Sequence, residues 1–277
     1  MISAPRAAIL VRMSARLRGM AKETLAVIRS GRLDGADITA DIERAVRGTR
    51  LILPGDELPA ARSVAKRPAA EPPVVEVTGE STLAAAARLG DPVCLNFASA
   101  RNPGGGFLNG AQAQEESLAR SSALYPCLLE AGEFYAHHRA ERSLLYTDRV
   151  IYAPRVPVFR DDRGRLLPTA YPVSFLTAAA PNRSMIVRNQ PELLPQVPGE
   201  LARRAARVLR VAAAFGHTEI VLGAWGCGVF GNDPGEVADA FAEALRETPF
   251  ARVVFAILDR REEMRDAFRA RFPACAR

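Results

Sequence analysis

Short apolar segments alternate with amphipathic segments from residue 74 onwards, and this alternation restricts the fold more than any other feature. Val74–Thr78, Pro92–Ala98 and Arg252–Leu258 are short and rich in apolar residues, so each predicts a buried strand. The spacing of apolar residues in Ser81–Leu89 and Pro198–Phe215 predicts helices between the strands. Alternating strands and helices indicate an α/β domain.

One pair of segments predicts a hairpin inside this domain. Val150–Arg160 and Leu167–Leu176 have strand character, and the polar turn Asp161–Arg165 lies between them. The strands of a hairpin are antiparallel, whereas strands joined through helices are parallel. The sequence therefore predicts a mixed sheet flanked by helices.

The first fifty residues have a different pattern. Apolar residues recur at helical spacing from Pro5 to Gly48, with a break at Gly31 and Gly35. Residues 54–73 hold five prolines, which disfavour regular structure. We expect a helical N-terminal extension over residues 1–53, a proline-rich linker or loop over 54–73, and the main domain over 74–277.

Charge and composition exclude several classes of protein. The net charge is +6 and is spread along the chain without a basic block, so we expect no direct nucleic-acid binding, although a polyanionic ligand is compatible. No segment reaches the roughly 20 apolar residues of a membrane span. The four cysteines form no C-x-x-C pair, and the three histidines lack metal-ligand spacing. We expect a cytoplasmic protein that binds no metal.

A glycine-rich loop follows the strand Pro92–Ala98. It contains three consecutive glycines, Gly104, Gly105 and Gly106, which permit close approach of a ligand to the main chain. Gln114-Glu115-Glu116 then opens a predicted helix. We expect this helix to extend to Leu129 with a break near Pro126, and the helical segment to continue through Arg139. Alone, these residues are equally typical of a flexible loop before an acidic helix start.

A second glycine-rich loop follows the predicted strand Glu219–Ala224. Its backbone N–H groups could bind a diphosphate, and the residues concerned are Gly226, Cys227, Gly228, Val229, Phe230, Gly231 and Asn232. The loop is not a P-loop, because no Lys-Ser/Thr follows it. A dinucleotide-dehydrogenase interpretation also fails, since too few residues remain after Asp259 for the further strands that such a domain needs.

The two loops together, in this order, resemble the poly(ADP-ribose) glycohydrolases of the microbial type, which are built on a macrodomain. The resemblance implies a macrodomain-like fold and cleavage of ribose–ribose bonds in poly(ADP-ribose). It implies that Glu116 is the catalytic acid, that Glu115 holds ribose hydroxyls and that Asn102 contacts the distal ribose. It also implies that Phe230 lies near that ribose and that Glu80 is a candidate for binding adenine.

The chemistry of glycoside cleavage fits these residue types. The reaction passes through an oxocarbenium-like state and needs a proton on the leaving oxygen. Adjacent residues at a helix start lie on one side of a substrate, so Glu115 and Glu116 are not an opposed acid–base pair. Glu116 would protonate the leaving group and then, as a carboxylate, activate water. No cofactor is required. A helix N-terminus lowers a carboxyl pKa, so another influence must raise it.

Several alternatives remain open at this level. A non-catalytic ADP-ribose reader explains both loops, and a hydrolase of mono-ADP-ribosylated protein explains the loops and the acid. The expected ligands are poly(ADP-ribose), ADP-ribose and ADP-ribosylated proteins. His137 and His138 are predicted to be surface residues or partners of the helix dipole near a helix C-terminus, and His217 to lie in a turn.

Overall fold

The computed structural model describes residues 4–58, 73–259 and 262–273, with side chains from residue 13 onwards. The helices are α1 (Ala4–Ser30), α2 (Thr39–Gly48), α3 (Thr82–Ala87), α4 (Gln114–Ser121), α5 (Leu124–Glu130), α6 (Gly132–Ala140), α7 (Arg183–Asn189), α8 (Val197–Ala214), α9 (Pro234–Leu245) and α10 (Glu263–Arg271). The strands are β1 (Arg32–Leu33), β2 (Ala36–Asp37), β3 (Arg50–Ile52), β4 (Val74–Thr78), β5 (Val93–Phe97), β6 (Val150–Arg160), β7 (Leu166–Ala178), β8 (Glu219–Leu222) and β9 (Arg252–Ala256).

Seven of these strands form one sheet in the order β3-β6-β7-β5-β8-β9-β4. The five strands from β7 to β4 run parallel, whereas β6 and β3 are antiparallel to their neighbours. The predicted mixed sheet and the hairpin β6–β7 are therefore confirmed. The remaining strands, β1 and β2, form a small ladder between α1 and α2.

Apolar residues bury both faces of the sheet. On one face α8 and α9 contribute Leu201, Val208 and Phe241, each at most 1 % exposed. On the other face the helices from α4 to α6 contribute Leu118, Leu128 and other buried side chains. Each fully buried Leu or Phe stabilises the fold by about 1.5–3 kcal/mol. The sheet is thus the rigid layer from which the loops project.

The parallel strands bring the two glycine-rich loops together. β5 and β8 are direct neighbours, with Val93 opposite Ile220 and Cys94 opposite Val221. The first loop leaves the carboxyl end of β5 and the second leaves the carboxyl end of β8. Ligands of open α/β sheets bind outside this edge.

The long helix predicted from Glu115 to Arg139 is three helices, α4, α5 and α6. The first break lies at Ser122 and Ala123, not near Pro126. Ser122 forms an isolated bridge with Val158, and the Ala123 N–H donates to the Pro157 carbonyl at 2.9 Å. Pro126 lies in the first turn of α5, where a helix does not need its N–H.

The N-terminal segment is helical, as the pattern predicts, and it also contributes β3 to the edge of the main sheet. Within the predicted linker, residues 59–72 lie outside the described residues. No helix in the described part of the chain is both long and apolar enough to cross a membrane.

The prediction that His138 is a surface residue is wrong. Its ring is fully buried, and Nε2 lies 2.8 Å from Thr147 Oγ1 and accepts from the Thr147 N–H. Burial lowers the pKa of His138 to about 4, so the ring is neutral at physiological pH. His217 does precede β8 outside regular structure, and it is buried beside the Tyr152 hydroxyl at 3.0 Å.

Candidate active site

A cavity of about 920 Å³ lies at the carboxyl edge of the sheet. Both glycine-rich loops border it, together with the first turns of α3 and α4, the hairpin tip and the segment after β9. Helix α1 completes the wall with Leu17 and Met20. A cavity of this size falls within the range of sites that enclose small molecules.

Gln114 joins α4 to the end of the central strand. Its Oε1 accepts from the Phe97 N–H at 2.9 Å, and its Nε2 donates to the Leu95 carbonyl at 2.8 Å and to Thr82 Oγ1 at 3.1 Å. These bonds satisfy polar backbone groups that the strand leaves unpaired. Gln114 therefore fixes the position of the two glutamates that follow it.

Glu115 is 2 % exposed and borders the cavity. Its Oε2 accepts from the Ser99 N–H at 2.7 Å, and its Oε1 accepts from Asn96 Nδ2 at 3.2 Å. Burial raises the pKa of Glu115 to about 8, and the nearby Glu116 charge acts in the same direction, although the hydrogen bonds oppose the change. Glu115 is therefore mainly protonated at neutral pH and can itself donate a hydrogen bond.

Glu116 is half-buried and lines the cavity. Its Oε1 accepts from the Gly106 N–H at 3.0 Å. Arg120, one turn further along α4, is 3 % exposed and close enough for its charge to attract that of Glu116. Arg120 also donates to the Ala111 carbonyl at 2.7 Å, which ties the loop to the same helix. The Glu116 carboxyl group is thus fixed by a backbone amide, and the Arg120 charge acts on it without an ion pair between the two side chains.

The glycine triplet is shaped around these two carboxylates. Gly105 has φ +57°, a left-handed conformation that side chains disfavour. A Cβ atom at this position would collide with Glu116 Oε1 and would lie 3.2 Å from Glu115 Oε2. Gly104 is also left-handed and packs on Phe107. The triplet therefore lets the backbone pass directly beside both acids.

The second loop is a tight turn closed by Asn232. The Asn232 N–H donates to the Gly226 carbonyl at 3.0 Å, and its buried Nδ2 donates to the Pro181 carbonyl at 2.9 Å. Gly226 has φ +72°, and a Cβ atom there would collide with Asn232. Asp233 then caps α9 by accepting from the Glu236 N–H.

Only part of the sequence-derived site lines the cavity. The lining residues from that set are Gln114, Glu115, Glu116, Gly226, Gly228, Val229 and Phe230. Six residues of that set do not line the cavity and instead shape the backbone of the two loops. They are Gly104, Gly105, Gly106, Cys227, Gly231 and Asn232. Val229 is 84 % exposed, so its apolar side chain faces the solvent at the cavity mouth.

Two further positions from the sequence lie outside the cavity wall. Asn102 is exposed, and its N–H donates to Ser99 Oγ at 3.2 Å. The carboxylate of Glu80 accepts from Arg88 Nη2 at 2.8 Å, and the ion pair contributes to lowering the Glu80 pKa against the effect of burial. The neighbouring residues Ser81 and Thr82 do line the cavity.

Sequence reasoning missed two parts of the site. Asn96 is a fully buried amide that links Glu115 to Thr177 Oγ1, and a polar residue inside an apolar strand is the signal that could have identified it. The tip of the hairpin also borders the cavity, and Asp162 there accepts from Ser81 Oγ at 2.7 Å. Across the described ranges, no group of three or more His, Cys, Asp or Glu is placed to hold a metal ion.

Residues 21–161 match the family described as microbial-type PARG, catalytic domain, where PARG stands for poly(ADP-ribose) glycohydrolase. The solved PARG from Thermomonospora curvata is 44 % identical, with a TM-score of 0.82 over 93 % of this chain and 100 % of its own. The same enzyme bound to the inhibitor ADP-HPD is 47 % identical, with a TM-score of 0.81 over the same shares.

A PARG variant from Deinococcus radiodurans in complex with ADP-ribose is 46 % identical, with a TM-score of 0.77 over 85 % of this chain and 98 % of its own. No curated protein sequence matches the chain. These likenesses confirm the expected macrodomain-like fold, because they extend over most of the chain at close to half identity. The chain belongs to the microbial-type poly(ADP-ribose) glycohydrolase family.

Proposed function

We propose that this poly(ADP-ribose) glycohydrolase hydrolyses ribose–ribose bonds in the cavity described above, with Glu116 as general acid and then general base. The observation that carries the assignment is the position of Glu116, which lines the cavity while the Gly106 N–H binds one of its carboxyl oxygens. Glu115, its neighbour, also borders the cavity and is almost fully buried.

The terminal ADP-ribose unit would occupy the cavity. The T. curvata enzyme has been solved with ADP-HPD and the D. radiodurans enzyme with ADP-ribose, and both resemble this chain over most of its length. The second glycine-rich loop would bind the diphosphate through backbone N–H groups between Gly226 and Gly231. Polymer attached to ADP-ribosylated proteins offers the same terminal unit and is a substrate by the same chemistry.

The two glutamates would divide the work. Glu116 would bind the substrate as the protonated acid and give this proton to the leaving ribose oxygen as the glycosidic bond breaks, which leaves a carboxylate within reach of the charge of Arg120. That carboxylate then takes a proton from the water that attacks the oxocarbenium-like carbon. Glu115, kept protonated by burial, can donate a hydrogen bond to a ribose hydroxyl without adding a second negative charge.

Replacement of Glu116 by glutamine tests the assignment. Glu116→Gln keeps the shape and can still accept from the Gly106 N–H, but it has no proton to give, so kcat on poly(ADP-ribose) should fall by about 10²–10⁴. The Kd for ADP-ribose, measured by calorimetry, should remain close to that of the wild type. Glu133→Gln, an exposed acid on α6, is the matched control and should keep full activity.

Two outcomes would contradict the proposal in different ways. Wild-type turnover by Glu116→Gln would show that another group is the acid. If the wild type instead bound ADP-ribose but released none from polymer, the protein would be a non-catalytic ADP-ribose reader. The assignment of Glu116 as the catalytic acid would then be wrong.

We also propose that residues 1–53 are a helical extension of a catalytic unit over residues 74–277. Two observations support a close association of these segments. Leu17 and Met20 of α1 line the cavity, and β3 pairs with β6 at the edge of the main sheet. The extension would then be part of the functional enzyme, and its removal should abolish activity.

A further inference from the structure

We infer that three arginines on the rim of the cavity bind the diphosphate of the ADP-ribose unit that remains on the polymer after cleavage. These residues, here called the arginine rim, are Arg16 and Arg18 on α1 and Arg163 at the hairpin tip. The inference rests on the proposed cleavage at Glu116. It adds a second subsite, outside the cavity, that distinguishes a chain from a single ADP-ribose unit.

Each rim arginine is next in sequence to a residue of the cavity wall. Arg16 and Arg18 flank Leu17, and Arg163 lies between Asp162 and Gly164. Successive residues of a helix diverge by about 100°, so the two α1 arginines leave the helix on opposite sides of Leu17. Arg16 Nη2 donates to the Arg163 backbone carbonyl at 3.0 Å, so the Arg16 guanidinium lies beside the hairpin tip that carries Arg163.

Arg18 is connected to the loop that holds the proposed acid. Its Nη1 donates to Ser14 Oγ at 2.7 Å, and Ser14 Oγ donates to the Asn109 carbonyl at 3.3 Å. The same loop turns back through a hydrogen bond from the Ala111 N–H to the Gly106 carbonyl, and the Gly106 N–H donates to Glu116. Hydrogen bonds through this one loop therefore connect Arg18 to the carboxyl group that would protonate the leaving group.

The positive charge of the arginine rim is not neutralised by its own neighbourhood. Arg16, Arg18 and Arg163 are exposed, and none forms an ion pair with another described residue. Of the acids nearest in sequence, Asp161 pairs with Arg165 and Glu23 pairs with Arg160, whereas Asp162 accepts from the Ser81 hydroxyl and forms no ion pair with a described residue. Three guanidinium groups thus remain available to an anion.

The substrate supplies such an anion at this place. If one ADP-ribose unit fills the cavity with its glycosidic bond at Glu116, as proposed above, the next unit of the chain lies outside the cavity, and we place it against the rim. The leaving oxygen belongs to the adenosine ribose of that unit, and the same ribose carries the diphosphate. Guanidinium groups bind phosphate oxygens through paired hydrogen bonds. One exposed contact of this kind contributes little binding free energy, but three together contribute more.

The experiment compares a two-unit chain with single ADP-ribose. In Arg16→Ala/Arg18→Ala/Arg163→Ala, kcat/KM for the two-unit chain at low salt should fall about tenfold, since each lost exposed contact contributes only a modest amount. The Kd for ADP-ribose, which fills only the cavity, should not change. The difference from the wild type should shrink as added salt screens the charges.

Matched variants separate charge from folding. Arg44→Ala/Arg210→Ala/Arg246→Ala removes the same charge from exposed positions that do not line the cavity, and it should keep wild-type kcat/KM. Replacing the rim arginines by lysine should restore part of the loss. If the triple alanine variant is poorly folded, Arg163→Ala alone decides, because no described residue bonds to its guanidinium, and a two- to threefold fall is expected.

An unchanged kcat/KM for the two-unit chain would overturn the inference. An equal loss of ADP-ribose affinity would overturn it too, because the arginines would then act on the cavity itself. Failure of the Glu116 assignment would give a different result, because Glu116→Gln would remain active. The ratio of kcat/KM for the two-unit chain between the rim variant and the wild type would still test the arginine rim.

Discussion

The ring of Tyr146 packs against the ring of Phe230, with the two centroids 6.2 Å apart. Tyr146 has a left-handed backbone conformation, with φ +61°. The centroid of its ring also lies 5.5 Å from the ring centroid of the buried His138. A bulky residue in this conformation is strained, and such strain persists only where the surroundings impose it. The contact between the two rings therefore helps to hold Phe230 in place in the cavity wall.

Tyr146→Leu should therefore raise KM for poly(ADP-ribose) more than it lowers kcat. A ring pair contributes about 0.5–1.5 kcal/mol beyond its buried area, which corresponds to a two- to tenfold change in KM. Tyr146→Phe keeps the ring and should behave as the wild type in steady-state kinetics. A fall in kcat at constant KM for Tyr146→Leu would contradict this role.

Glu115→Gln should stabilise the protein at neutral pH. The Glu115 pKa is about 8 in the folded protein against 4.5 for an ordinary glutamate. Below pH 4.5 the carboxyl is protonated in both states, so its full contribution to stability is present. Between pH 4.5 and 8 only the unfolded state ionises, so stability is lost as pH rises, and it stays low above pH 8.

Glutamine has no proton to lose, so the Tm advantage of Glu115→Gln should grow from pH 5 to pH 8. Asn96 can accommodate the new amide by turning, because its Oδ1 has no hydrogen-bond partner among the described residues. Thermal unfolding at pH 5, 6.5 and 8 measures the effect, with Glu133→Gln as the exposed control. A Tm difference that does not vary with pH would argue against a protonated Glu115.

Gly105→Ala should reduce activity far more than a comparable glycine elsewhere. The added methyl group would collide with the Glu116 carboxylate, and the left-handed backbone adds about 1–2 kcal/mol of strain. We expect kcat to fall at least tenfold. Gly35→Ala is the control, because Gly35 has φ +84° and no atom lies within 4 Å of the place that a Cβ atom would take. It should cost similar stability and leave kcat unchanged.

The single tryptophan offers a direct binding assay. Trp225 is 1 % exposed, borders the cavity, and donates from Nε1 to the Ala178 carbonyl at 3.1 Å. We expect a buried-type emission spectrum that changes on titration with ADP-ribose, because the ligand would alter the polarity beside the indole. Emission that does not respond, while calorimetry reports binding, would mean that the ligand lies away from the second loop.

Much of the fold and the two loops could be predicted from the sequence. Strand and helix periodicity is local, and it identified β4, β5, α8 and the hairpin nearly to the residue. The breaks between α4, α5 and α6 could not be predicted, because they depend on a bridge from Ser122 to the distant strand β6.

The site was predictable in its chemistry and less so in its surroundings. The order of the glycines and Glu116 is visible in the chain, whereas the burial of Glu115 results from packing and could not be read from an acidic helix start. The apolar face of α1 indicates that the helix packs on something, but not that Leu17 and Met20 would border the cavity. Partners far apart in sequence leave no local signal.

The order of the strands has a consequence for synthesis on the ribosome. β4 lies at one edge of the sheet and bonds only to β9, which is the last strand to be made. β4 therefore emerges early and stays unpaired until β9 has been made, and exposed strand edges favour aggregation of incomplete chains. Production of this enzyme should thus depend on chaperones more than its finished, well-packed sheet would suggest.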